Sequence, residues 1–178
     1  MQKKLSYSLT EEDHLNFQLF TASQSAQVKK TRTRNQLLVS GFLLVLAILY
    51  FAVFNRHTMG IIYAVAAVIL YLLYPIYQRV LYKRHYSKFI KENYLNNINK
   101  NSDLIFGNDE IELKNDDSES KIKYSQLEKI SEIPDAFYLK LKSAQTVIIP
   151  KNKITDLVDI RIFLKDLATR QNVIFEEL

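Results

Sequence analysis

"AVFNRHTMGII", Ala52–Ile62, is a short polar break in a long apolar tract. Two readings compete for it. It can be a turn between helices buried in a soluble core, or the exposed tip of a hairpin that crosses a membrane. The flanks decide. Leu37–Phe54 reads LLVSGFLLVLAILYFAVF and Met59–Tyr77 reads MGIIYAVAAVILYLLYPIY, and neither holds a charge. Each is close to the ~20 residues an α-helix needs to span a bilayer core. Thirteen residues of the first run are Leu, Ile, Val or Phe, a gain of roughly 4–8 kcal/mol on insertion. The second run has nine such residues and carries Tyr71, Tyr74 and Tyr77, followed by Tyr82. Tyrosines at one end of an apolar run suit a membrane–water interface. A helix on a soluble core keeps a polar face, and neither run has one. The reading is a transmembrane hairpin over residues 37–77, with spans at 37–54 and 59–77 and a tip at Asn55, Arg56, His57 and Thr58.

Charge sets the expected orientation. Lys29, Lys30, Arg32 and Arg34 precede the first span, and Arg79, Lys83, Arg84, Lys88 and Lys91 follow the second. The tip has Arg56 alone. The positive-inside rule then places both termini in the cytoplasm, with the tip outside. The expected location is the cell inner (cytoplasmic) membrane, as a multi-pass protein. No secretory signal is expected, because the first apolar run begins too far from the start and no small-residue cleavage site follows it.

The net charge of +5 conceals an asymmetry. Residues 1–100 hold 13 Lys and Arg against 4 Asp and Glu; residues 101–178 hold 11 against 15. The folded C-terminal part is therefore acidic, which argues against nucleic acid as a partner. With no cysteine in the chain, disulfides, thiolate metal sites and cysteine nucleophiles are excluded. The spans offer Ser40, tyrosines and Pro75 but no ionisable pathway. They read as an anchor. Gly60, Ala64 and Ala67 share one side of the second helix, a spacing that lets helix backbones approach. Homo-oligomerisation is compatible with this. Pro75 is expected to bend that helix.

The flanks of the hairpin divide further. Residues 1–36 read as a cytoplasmic strand, KLSYSL, and an amphipathic helix capped by Thr10, with Leu15, Leu19, Ala22 and Ala26 at helical spacing. Residues 78–100 read as a juxtamembrane helix and a polar linker, NNINKNSD. Residues 101–178 read as a small domain. Leu104–Phe106, Glu110–Lys114, Lys121–Tyr124, Leu127–Glu132, Ala136–Lys142 and Thr146–Pro150 have the length and flanking turns of strands. A helix capped by Thr155 or Asp156 follows, with Leu157, Ile160, Leu164, Leu167 and Ala168 inward, and NVIFEEL can add an edge strand. The fold class is an α+β membrane protein whose cytoplasmic antiparallel sheet, strongly bent, is closed by a C-terminal helix. So small a domain is marginal alone, so the N-terminal strand is expected to pair with its sheet.

Three stretches together resemble one family. They are YSLTEEDHLNFQLFTASQSAQVKKTRTRNQ, the hairpin ending YPIYQRVL, and KYSQLEKISEIPDAFYLKLKSAQTVIIPK. The likeness is to the YcxB-like family of small bacterial membrane proteins and runs over nearly the whole chain. It differs from the family in having Tyr124 where members often carry Trp, and Ile154 where they carry an aromatic. The resemblance implies a pleckstrin-homology-like (PH-like) cytoplasmic domain. It supplies no catalytic residue.

The residues themselves give no enzyme signature. His14, His57 and His85 are far apart, and NDDSES lacks the glycine and terminal Glu of a calcium loop. No phosphate-cradling loop or nucleophile elbow appears. No cofactor is expected. One pattern is suggestive: Lys121 and Lys123, Lys140 and Lys142, and Lys151 and Lys153 recur at a spacing of two. On a common face they would contact anionic lipid or an acidic partner. The expected function is a membrane-anchored cytoplasmic interaction or scaffold module, not an enzyme, with the lipid bilayer and a protein as partners. The alternatives are a membrane-tethered anionic-lipid-sensing regulator and, third, a membrane-bound enzyme.

Overall fold

The computed structural model describes residues 3–93, 98–115 and 118–178. The chain forms two compact units, Leu15–Glu92 and a second made of Met1–His14 with Asn93–Leu178.

The helical unit holds most of α1 (Glu11–Gln24), then α2 (Ala26–Ala52) and most of α3 (His57–Asn93). Ser25 separates α1 from α2: its side chain accepts a hydrogen bond from the Val28 N–H at 3.3 Å. The expected stripe Leu15–Leu19–Ala22–Ala26 is interrupted there, and of its members only Leu15 is buried. The polar break between the apolar runs is a helix stop. Asn55 takes the left-handed conformation (φ 49°) that Asn tolerates better than most residues, and the Arg56 N–H closes back on the Tyr50 carbonyl at 3.0 Å. His57 already belongs to α3, so the tip is shorter than the sequence indicates.

α2 and α3 are long and apolar enough to cross a membrane. They run antiparallel. Tyr50 stacks on Tyr63 with centroids 5.2 Å apart, and at the far end the Arg32 Nε donates to the Gln78 Oε1 at 3.0 Å. The seam is made of small or polar residues: Ser40 and Ala47 on α2, Gly60, Ala67 and Gln78 on α3. Gly60 is required to be small, since a Cβ there would lie 2.5 Å from the Phe51 ring. The large apolar side chains point elsewhere. Phe42, Ile48, Leu72 and Ile76 are each more than half exposed, the reverse of helices packed in a soluble core.

α3 passes through Pro75 as one helix. Proline has no N–H, so the carbonyl four residues back, on Tyr71, loses its helical partner. The Gln36 Nε2 donates to that carbonyl at 2.9 Å. A neighbouring side chain thus restores the bond that the proline removes.

In the second unit, β1 (Lys3–Ser8), β2 (Asn101–Phe106), β3 (Glu110–Asn115) and β4 (Ser118–Lys123) form one sheet in that order. β5 (Leu127–Glu132), β6 (Ala136–Leu141), β7 (Thr146–Pro150) and β8 (Ile174–Glu177) form another, in the order β7-β6-β5-β8. A 3-10 turn at Tyr124–Gln126 joins them. The expected single bent sheet is therefore two sheets. Every ladder is antiparallel except β5–β8. β1 pairs with β2 over six residues, Lys3 opposite Phe106 through Ser8 opposite Asn101. Asn101–Asp103, expected as linker, belong to β2: all three pair with β1, and Ser102 and Asp103 also pair with β3. α4 (Leu157–Arg170) packs Ile160, Leu164, Leu167 and Ala168 into a core with Phe106, Ile130, Phe137 and Ile149. Leu157, expected inward, is 37% exposed at the first turn. The turn expected at Asp116 and Asp117, and the continuation of α3 into Tyr94–Leu95, lie outside the described residues.

Gln36→Leu should lower the unfolding temperature of the detergent-solubilised protein, by about 1–3 kcal/mol of stability where the Tyr71 carbonyl is left without water or partner. In a Pro75→Ala background, which restores the helical N–H, the same substitution should cost much less. Equal losses in both backgrounds would show that Gln36 does not serve the Tyr71 carbonyl.

Candidate functional site

Two sets of cationic side chains are the candidates, one in each unit. In the helical unit the antiparallel packing brings the two sequence clusters to one end. Arg32 reaches Gln78 and lies over the Tyr82 ring at 5.6 Å, so Lys29–Arg34 and Arg79–Lys91 flank the same end of the hairpin. Lys29, Lys30, Arg34, Arg79, Lys83, Arg84, Lys88 and Lys91 are exposed there; Arg32 alone is drawn partly inward. The opposite end carries only Arg56.

The six lysines that recur at a spacing of two, all in the second unit, occupy three settings. Lys121 and Lys123 stand on the outer face of β4, opposite Glu112 and Glu110. Lys121 bonds to both acids, at 3.0 Å and 3.2 Å. Lys114 bridges Glu112 and Glu119, and Lys4 meets Asp103 at 2.8 Å, so this face alternates in sign. These bonds raise the Lys121 and Lys114 pKa values and hold the Glu112 and Asp103 carboxyls below the usual range. Lys123 makes no ion pair among the described residues. Lys140 stands on β6 of the other sheet, and Lys142, expected as strand, is the first residue of the turn after it. Lys140 bonds Glu128 at 2.7 Å, and Lys142 donates to the Ser125 carbonyl at 2.8 Å.

Lys151 and Lys153 are structural. Lys151 is largely buried, 4.8 Å from the centre of the Phe137 ring, and donates to Glu132 at 2.8 Å. Glu132 also accepts from the Arg161 Nε at 2.8 Å, and Arg161 continues to Glu177 at 3.0 Å. The network joins β5, α4 and β8 behind the core. Lys153 fastens the N-terminal arm. Its Nζ donates to the Ser8 carbonyl and to the Asp13 carboxylate, the latter at 2.8 Å. Asp13 also accepts from the Thr10 N–H (2.8 Å) and hydroxyl (2.7 Å), while the Thr10 oxygen accepts from the Asp13 N–H at 3.3 Å. That is the reciprocal box that caps the first turn of α1. Burial opposes ionisation of Asp13, but the bonds from Lys153 and Thr10 and the lysine charge outweigh it and lower its pKa. At the neighbouring His14, burial lowers the pKa against the opposing charge of Asp13.

The lysine spacing was visible in the sequence; the acids that meet Lys121, Lys140, Lys151 and Lys153 were not, because they arrive from other elements. Gln36 and Glu132 carried no sequence signal beyond being polar residues at the edge of apolar runs. Among the described residues, no three His, Asp or Glu side chains converge as a metal site would require.

The class these features define is an α+β chain in which a unit of two sheets with one packed helix accompanies two long apolar helices. Residues 106–164 match the family model described as YcxB-like protein. The match runs from the end of β2 through β7 into α4, about a third of the chain. No curated protein and no solved structure matches.

Wild type should unfold at a higher temperature than Asp13→Asn from pH 7 down to pH 5. Because the folded-state pKa of Asp13 is lowered, its contribution is present above the unfolded value of about 3.9 and disappears as pH falls through the folded value. The two melting curves should converge in acid below about pH 4. A gap that stays constant with pH would remove the ion pair from the account.

Proposed function

We propose that this chain is a membrane-anchored interaction module. α2 and α3 span the cell inner membrane as a hairpin, its tip outside and both termini in the cytoplasm. The domain built on residues 101–178, with the strand from residues 3–8, is a PH-like platform that docks a protein partner and performs no catalysis. The observation that carries this is the β1–β2 ladder. β1 precedes both apolar helices and β2 follows both. Strands paired in one sheet lie on one side of a bilayer, so the two helices between them cross as a pair. The exposed apolar surfaces of α2 and α3 support insertion. The cations at the end where the chain enters and leaves support a cytoplasmic domain. Four strands, a second sheet and a closing helix support the PH-like reading.

The lysines of the domain lend less to lipid sensing, because five of the six are already engaged with acids or carbonyls. α4 offers an exposed apolar pair, Val158 and Ile162, one turn apart at 72% and 61% exposure. The chain lacks cysteine, so Val158→Cys gives a unique attachment point for a photo-crosslinker in native membranes. A discrete protein adduct is expected. Adducts to lipid alone, or none, would contradict the interaction-module reading.

A further inference from the structure

α3 continues as one helix beyond the second apolar run, from Gln78 to Asn93, and its two faces differ. On one face Gln78 and Ile90 are buried and Tyr82 and Tyr86 partly so. The opposite face presents Val80, Lys83, Arg84, Ser87, Lys88 and Lys91 along a shallow trough of about 590 Å³. Lys83 and Arg84 make no ion pair among the described residues. Lys88 meets Glu92, the one acid of α3, at 3.7 Å with both side chains mostly exposed. Lys83 and Arg84 differ in this from Lys121, Lys140 and Lys151 of the domain, each of which is bonded to a Glu.

The same ridge is apolar one turn earlier and beyond. Ile69, Leu73, Ile76 and Val80 recur at three and four residues, each about half exposed. With a rise of 1.5 Å per residue, the first cations lie about 5 Å past Val80 and Lys91 about 16 Å past it. An apolar ridge that turns cationic within one helical turn matches the order of a phospholipid, acyl chain and then phosphate. Orientation in the membrane requires only a number of cations near the end of a span. Lys29, Lys30, Arg34 and Arg79 supply that number on any face. The ordering of Lys83, Arg84, Lys88 and Lys91 on the single face continuous with the apolar ridge has no such explanation.

We infer that this ridge of α3 is a binding site for anionic phospholipid. The acyl chain lies along Ile69 to Val80, the phosphate sits between Lys83 and Arg84, and Lys88 and Lys91 extend over neighbouring headgroups. An acidic protein would match the cations but not the apolar ridge. The site rests on the membrane reading above and adds to it a ligand class and a location outside the PH-like domain.

The test uses the full chain in nonionic detergent, titrated with phosphatidylglycerol or phosphatidylcholine, with bound lipid counted by native mass spectrometry. Wild type should hold phosphatidylglycerol at least about tenfold more tightly. Lys83→Gln, Arg84→Gln and Lys88→Gln together should abolish the preference. The charge-preserving set Lys83→Arg, Arg84→Lys and Lys88→Arg should retain it, as should Lys121→Gln with Lys140→Gln in the domain. No preference in wild type, a preference that survives the neutral triple variant, or its loss in the domain variant would overturn the site. Stronger binding of polyglutamate than of phosphatidylglycerol would overturn it in favour of an acidic protein. Carbonate-resistant recovery of the same proteins with membranes reads the anchor separately. Its failure overturns the membrane reading, whereas its success without lipid preference overturns only the site.

Discussion

Six residue pairs between β1 and β2 constrain the rest of the molecule. They join a strand near the start of the chain to one some ninety residues later, and the described residues between are helical except for short connections. A sheet closed in this way cannot be separated by a bilayer, so any membrane reading of α2 and α3 must return the chain to its starting side. The ladder also gives the domain part of its core. Tyr7 is buried in the common cluster, with Leu5 and Leu9 packed against it. Lys153 then holds the arm where it leaves the sheet and enters α1, using the carboxylate that caps that helix. The N-terminal arm is thus fixed to the rest of its own unit at Asp13, by bonds that need its charge.

The helical hairpin solves a different problem. α2 and α3 are apolar enough to cross a membrane; in lipid such helices would have no hydrophobic drive to associate, so close approach and polar pairing would have to serve. Gly60 and Ala67, and likewise Ser40 and Ala47, are spaced by seven residues, the repeat that keeps small side chains on one seam of two antiparallel helices. Gln36 meets the carbonyl freed by Pro75, and Gln78 accepts from Arg32. Polar residues at one end of an otherwise apolar pair thereby fix its register without an ionised group inside the apolar runs.

How far the sequence revealed this depended on whether a feature was local. Alternation in AFYLKLK and the turn residues around it marked β6 and its neighbours, and the charge-free runs marked α2 and α3. The two-sheet arrangement was hidden, because it depends on the turn at Tyr124–Gln126 and on which strands meet across it. Asn101–Asp103 look like linker by composition but are strand, paired with β1 on one side and, at Ser102 and Asp103, with β3 on the other. The lysine spacing suggested one basic face; cross-strand acids such as Glu112 and Glu128 divide it into paired sites. Asn55 and His57 were both read as tip, but the helix stop at Tyr50–Arg56 is tight enough for α3 to begin at His57.

The central claim is that the tip and the domain lie on opposite sides of a membrane. Single cysteines at Asn55 and at Ser120, both exposed, allow a membrane-impermeant maleimide to read each side in intact cells. The account predicts that Asn55→Cys labels at once and Ser120→Cys only after permeabilisation. Labelling of both from the same side would contradict it.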